Sequence, residues 1–211
     1  MTRRAELVDQ TRLEITAATA RLHTSIGPAN TTIAAIADEA GVTRLTVYRH
    51  FPDLEALFVA CRAHWRSENP PPDSSTWSAT PGLETRVRRA LTAHYGWYRD
   101  HAEELFPIYR DMTTAPLGLQ ETMRAENRRL GALLVEGHAA EGESGRPMRA
   151  AARHLLAYPT WRSLAIDQGL SDAEAVELGV TVLEALRDDA RNHRRHVGSE
   201  ARQVKGRAEA L

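Results

Sequence analysis

Apolar residues along the chain return every three or four positions, and no segment alternates strictly. That period belongs to helices with one side turned to a core. Leu7, Thr11, Ile15, Ala18 and Leu22 make the first stripe, which ends before "SIGP". Ile33, Ile36, Ala37 and Ala40 make a second, with Thr32 placed as its N-cap and Gly41 as its stop. Val47 and Phe51 mark a third helix. Leu54, Leu57, Phe58, Cys61 and Trp65 mark a fourth, opened by Asp53.

The stretch "SENPPPDSSTWSATPG", residues 67–82, breaks this pattern, because three consecutive prolines cannot continue a helix. It reads as a linker between an N-terminal unit, residues 1–66, and a larger helical body, residues 83–190. In that body a helix is expected from Leu83 to about Glu104, with Val87, Leu91, His94 and Tyr98 on one side. A short piece follows near Phe106 to Met112, then a helix from Leu119 to Ala140. Another runs from Met148 to Gln168, and Pro159 should kink it. Ser171-x-x-Glu174 is a capping box before a last helix lined by Val176, Val180, Leu183 and Leu186. From Arg191 the chain is polar and is expected to fray as a basic tail, residues 191–211, containing "RNHRRH". The predicted fold class is all-α: an N-terminal unit of three to four helices and a larger C-terminal helical domain.

Composition narrows the chemistry. Of 211 residues, 42% are hydrophobic and 26% charged, within the range of ordinary globular chains. The net charge of -1 neither requires nor excludes a polyanionic partner, but its distribution is uneven. Residues 1–66 hold eight Arg against seven Asp and Glu, whereas residues 83–190 hold 13 Arg against 17 acids. An acidic body with less acidic ends fits an anion met at one end. Cys61 is the only cysteine, which excludes an internal disulfide and a Cys-rich zinc site. No apolar run approaches the ~18 residues of a membrane span. The opening "MTRRAELVDQTR" lacks the apolar core of a signal peptide, so a cytoplasmic location is expected. There is no Gly-rich phosphate loop, no G-x-S-x-G and no H-E-x-x-H, so neither enzymatic activity nor a cofactor is expected. His94 with His101, and His193 with His196, lack a third ligand at suitable spacing, and no metal is expected.

The informative segment is "GVTRLTVYRHFPD", Gly41 to Asp53. A helix stopped by Gly41, an apolar Val42 and a new helix opened by Thr43 is a helix-turn-helix. Val47 and Phe51 lie four apart and face inward, while Arg44, Leu45, Tyr48 and Arg49 fall on another arc. That arc offers guanidinium forks, a phenol and an alkyl group, a set suited to guanine edges, phosphates and thymine methyls in a major groove.

The longer run "TTIAAIADEAGVTRLTVYRHFPDLEALF", Thr31 to Phe58, resembles the DNA-binding unit of TetR-type transcriptional regulators. The features that carry the resemblance are Gly27, Ile36-Ala37, Ala40-Gly41-Val42, Thr43, Val47-Tyr48, Phe51 and Leu57-Phe58. Residues Trp161 to Leu186 are similar to the C-terminal helix pair of that family. The resemblance implies a homodimer that binds a palindromic operator on double-stranded DNA, a nucleoid-associated protein of the cytoplasm. It also implies an effector pocket in the larger body, with ligand changing the separation of the two reading heads. Carried over, Thr43, Arg44, Leu45, Tyr48, Arg49 and His50 meet DNA, and Thr32 adds a phosphate bond. Arg44 and Arg49 take base or phosphate contacts, while Tyr48 and His50 position the backbone. Leu54 departs from the pattern, since the family often has a phosphate-gripping lysine there, and Ala34 and Ala35 leave the second helix without a charged reader. Specificity then rests on the third helix together with Arg3 and Arg4. Leu54 also keeps open an alternative, a helical protein-interaction regulator that no longer binds operator DNA. His94, Trp97, Tyr98, Tyr109, Met112, Met123, Asn127, Tyr158 and Trp161 gather in the larger body and are expected to line a pocket for a flat or apolar small-molecule effector.

Overall fold

The structure, a computed structural model, describes residues 3–208, with side chains for residues 5–190 and Asn192. Ten α-helices follow one another among them: α1 (Arg3–Ser25), α2 (Ile33–Glu39), α3 (Arg44–His50), α4 (Leu54–Glu68), α5 (Leu83–Asp100), α6 (Ala102–Arg110), α7 (Leu117–Leu134), α8 (Arg146–Leu155), α9 (Tyr158–Arg162) and α10 (Asp172–Ala208). No strand occurs among the described residues. The chain forms two compact units. One comprises the residues up to Pro72 together with Trp97–Glu126; the other comprises Asp73–Gly96 and Asn127 onward. This partition differs from the boundaries at 66 and 82 read along the sequence. The stretch expected as a linker is divided between the units, and Trp77 within it is buried against His94, ring centroids 5.4 Å apart.

In the first unit Ile15, Ile36, Ala37, Val47, Phe51 and Leu57 form a core, with Leu22, Ile33 and Val42 packed against it. Each short helix is set by its cap. Thr32 Oγ1 accepts from Ala35 N at 3.1 Å, Thr43 Oγ1 from Thr46 N at 3.2 Å, and Asp53 Oδ1 from Ala56 N at 2.6 Å. The first stripe is shorter than its periodicity suggested. Ile15 and Ala18 are buried, but Leu7 is 62% exposed, because the opening turns of α1 lie outside this core.

In the second unit α5 buries Val87, Leu91 and Tyr95, and α10 buries Ala175, Val176, Val180 and Leu183. Gly179 of α10 sits so close to the Leu91 side chain that a Cβ there would collide with it. Tyr95 Oη donates to the Leu155 carbonyl at 2.9 Å. Arg86 is buried and donates from its guanidinium to the carbonyls of Ser78, Thr80 and Glu136. The capping box is present: Ser171 N donates to Glu174 Oε2 at 2.8 Å, and Glu174 N donates to Ser171 Oγ at 3.3 Å.

Several helix limits differ from the expected ones. The helix from Leu83 ends at Asp100, and α6 begins anew at Ala102. The helix expected to reach Ala140 ends at Leu134. The span Met148–Gln168 is broken rather than kinked. Ala157 is extended, and Pro159 lies in the first turn of α9, where its missing N–H has no helical partner to lose. A π-helical turn, Ser163–Asp167, follows. At the far end α10 continues through Ala208 instead of stopping near Arg191. The side chains of Arg191, His193 and His196, like those of Arg3 and Arg4, lie outside the described residues.

Candidate nucleic-acid interface

The turn between α2 and α3 is a Schellman closure. Gly41 N donates to the Asp38 carbonyl at 3.2 Å and Val42 N to the Ala37 carbonyl at 2.9 Å. This geometry needs a left-handed residue, and Gly41 has φ 67°. Val42 then packs on the core, which fixes the angle at which α3 leaves. Beneath α3, Val47 and Phe51 are almost completely buried. On its outer arc Leu45 is 78% exposed, Tyr48 55% exposed, and Arg44 and Arg49 are exposed. Among the described residues Arg44, Tyr48 and Arg49 make no side-chain hydrogen bond or ion pair, so their donors face solvent. Thr43 and Thr46 hydroxyls pair at 2.9 Å at the start of the helix.

The exit of α3 is held by a residue the sequence pattern did not single out. Arg12 of α1 donates through Nη1 to the His50 carbonyl at 2.6 Å, and its guanidinium lies over the Phe51 ring at 4.0 Å. A cation here meets both a terminal helix carbonyl and a ring face. Partial burial, helped by the charges of Arg49 and Arg12, holds His50 below the ordinary imidazole range. It therefore offers a neutral ring near pH 7. Thr32 is exposed at the start of α2, its oxygen accepting from Ala35 N and its proton left to donate. Leu54 is 55% exposed at the first position of α4.

A model of the family described as "Bacterial regulatory proteins, tetR family" matches residues 15–61, which span the core from Ile15 to Cys61 and the whole helix-turn-helix. This N-terminal segment is a tetR-family helix-turn-helix unit. No curated protein matches it. Among solved structures, a TetR transcription regulator from Haloarcula marismortui is similar, with 18% sequence identity and a TM-score of 0.52. The match covers 86% of this chain and 98% of that one, so the shared fold extends well beyond the helix-turn-helix.

The first unit also contains a partly open cavity of about 100 Å³. Phe58, Cys61, Arg62 and Trp65 of α4 form one wall, and His23 and Ala20 of α1 another. Trp97, Leu105, Tyr109, Met112, Leu119 and Met123 close it. Of the nine residues expected to line a pocket, Trp97, Tyr109, Met112 and Met123 do so. Tyr98 is buried beside Trp97 but is not part of the lining. The other four belong to the second unit. There His94 Nδ1 lies 3.0 Å from the Ala90 carbonyl, Asn127 Nδ2 donates to the Arg153 carbonyl, Trp161 Nε1 donates to Asp172 Oδ1, and Tyr158 packs on Trp161. The α1 and α4 lining was missed because those positions read as ordinary core; the only available signal was the bulk of Phe58 and Trp65 beyond what a four-helix core needs.

Polar groups around the cavity are mostly engaged. Cys61 Sγ lies 3.4 Å from His23 Nδ1. Burial pushes the His23 imidazole down to about 4, against an opposing pull from Asp111, and pushes the Cys61 thiol up to about 12. Trp65 Nε1 donates to Glu104 Oε2 at 2.6 Å. Arg66 binds Glu126 with both terminal nitrogens, at 2.9 and 3.0 Å, and Arg62 pairs with the same carboxylate. Burial opposes the charge on Glu126, but the two guanidiniums outweigh it and hold the carboxyl below its usual range. Among the described residues no group of three His, Cys, Asp or Glu is placed to hold a metal ion, and no helix is long and apolar enough to cross a membrane.

Proposed function

We propose that this DNA-binding transcription regulator is a ligand-responsive repressor that binds a palindromic operator as a homodimer, with α3 lying in the major groove. The observation that carries the reading is the outer arc of α3: two exposed guanidiniums and a phenol that make no hydrogen bond or ion pair among the described residues, on a helix fixed from below by Val47 and Phe51. Thr43, Arg44, Leu45, Tyr48, Arg49 and His50 form the contact set, with Thr32 donating to a phosphate. Binding through phosphates should weaken steeply with salt. Self-association is supported by an apolar line on α10, where Leu178 and Ala185 are exposed and Val182 half-buried at spacings of four and three. A ligand that enters the cavity presses on α4, which follows α3 after two residues and the Asp53 cap. Occupancy thus biases the reading helix, the coupling that ligand response requires.

A mobility-shift titration against the DNA flanking its coding region, with salt varied, tests this reading. Saturable, salt-sensitive binding to one fragment supports it, and selection from random DNA would then give two inverted half-sites. The exposed Leu45 and Leu54 favour the alternative of a protein-binding face. Failure to retain any duplex at low salt would decide for that alternative.

A further inference from the structure

The cavity behind α4 contains one donor that no protein group satisfies. Trp97 lines it, and the Trp97 indole N–H is buried without a hydrogen-bond partner among the described residues. A buried donor of this kind is costly to leave unmatched. Its surroundings explain the lack of a partner. Trp65 stands edge-on to Trp97 with centroids 5.6 Å apart, and the Trp65 N–H is already given to Glu104. Phe58, Leu105 and Met123 supply no acceptor.

We propose that the effector is a one-ring aromatic molecule bearing a carbonyl oxygen, with that oxygen accepting from Trp97 Nε1–H. The proposal rests on the reading of this chain as a ligand-responsive regulator and names the ligand class of that site. Size allows no more than one ring: an apolar cavity of roughly 150 Å³ admits benzene, and this one holds about 100 Å³ and is partly open, so one end of the guest extends through its mouth. Shape follows from the walls, because Trp65, Trp97, Phe58 and Tyr109 present ring faces and edges that favour a flat guest. The wall charges leave both neutral and anionic forms of the class open. His23 carries no charge at neutral pH, whereas Arg62 and Arg66 share the single carboxylate of Glu126.

The test uses the full chain and three probes: benzamide, benzoate, and toluene as a guest without an acceptor. Isothermal titration should show saturable binding of benzamide or benzoate. Trp97→Phe keeps an aromatic side chain but removes the donor together with the five-membered ring; it should weaken that binding roughly fivefold to tenfold and should not weaken toluene binding. Benzoate binding above benzamide identifies an anionic effector and the reverse order a neutral one; either upholds the class. In case Trp97→Phe does not fold, the indole 15N–1H signals of wild-type protein give an independent reading. The Trp97 signal should move downfield with the carbonyl probe and not with toluene. Equal binding of toluene and benzamide with no such movement, or no uptake of any probe at millimolar concentration, overturns the proposal. The same preparations are assayed for operator DNA, so retained operator binding with no probe uptake sinks this inference alone.

Discussion

The Arg12 guanidinium joins α1 to the end of α3, giving a hydrogen bond to the His50 carbonyl and covering the Phe51 ring. One side chain thereby completes the helix terminus and shields the apolar residue that anchors it. Arg12→Ala should lower stability by about 1–2 kcal/mol, and operator affinity should fall with it because α3 loses its fixed exit. Urea unfolding and mobility shift measured together check this. Unchanged midpoint and unchanged affinity would show that the contact fixes nothing.

Arg44 and Arg49 should behave in the opposite way. Their side chains are exposed and make no hydrogen bond or ion pair among the described residues, so alanine at either position should leave thermal stability nearly unaltered. Operator affinity should drop by ~1–3 kcal/mol where the residue reads a base. Loss of a phosphate contact would instead appear as a shallower salt dependence, by about one unit of slope. Normal affinity in both single variants and the double variant would remove α3 from the interface.

Acid should weaken the first unit through His23. Its folded-state value of about 4 lies below the ordinary 6.5, so the unfolded chain binds a proton more readily than the folded one. This contribution is intact above pH 6.5, is lost progressively as pH falls, and is fully lost below about 4. At pH 5 the difference amounts to about 2 kcal/mol. His23→Gln should therefore flatten the stability profile between pH 7 and 5 relative to wild type. Parallel profiles would falsify the assignment.

Cys61 should resist alkylation. A buried thiol pushed up to about 12 supplies almost no thiolate at pH 8. Mass spectrometry after iodoacetamide treatment should find the native protein unmodified and the urea-unfolded chain fully labelled. Rapid labelling of native protein would mean that α4 opens far more often than its packing suggests.

The helix-turn-helix was legible because its determinants are local. Caps at Thr32, Thr43 and Asp53, the left-handed Gly41, and the Val47–Phe51 pair each act within a few residues. The Ser171–Glu174 box was read for the same reason. Where tertiary packing decides, the pattern misled. Leu7 has helical spacing but stays mostly exposed. Pro159 signalled a disturbance, yet whether it bends one helix or starts another depends on Ala157 turning extended, which no short-range rule demands. Arg12 was invisible, since its partner lies 38 residues away. The expected pocket was only partly found: sequence distance separates Phe58 and Trp65 from Tyr109 and Met112, and only folding brings α4 against α6 and the turn after it. His94 and Trp161, equally aromatic and polar, found partners within their own unit instead.

The bonds from Trp65 to Glu104, and from Arg62 and Arg66 to Glu126, carry a lesson for anyone who would transplant this reading head. A graft cut at Pro72 would bring along the helix-turn-helix and abandon its floor, stranding aromatic rings in water and two guanidiniums without their counterion. A working chimera must carry Trp97–Glu126 with it, so recombination between relatives should cross over at the edges of a module assembled from two separate stretches of the gene.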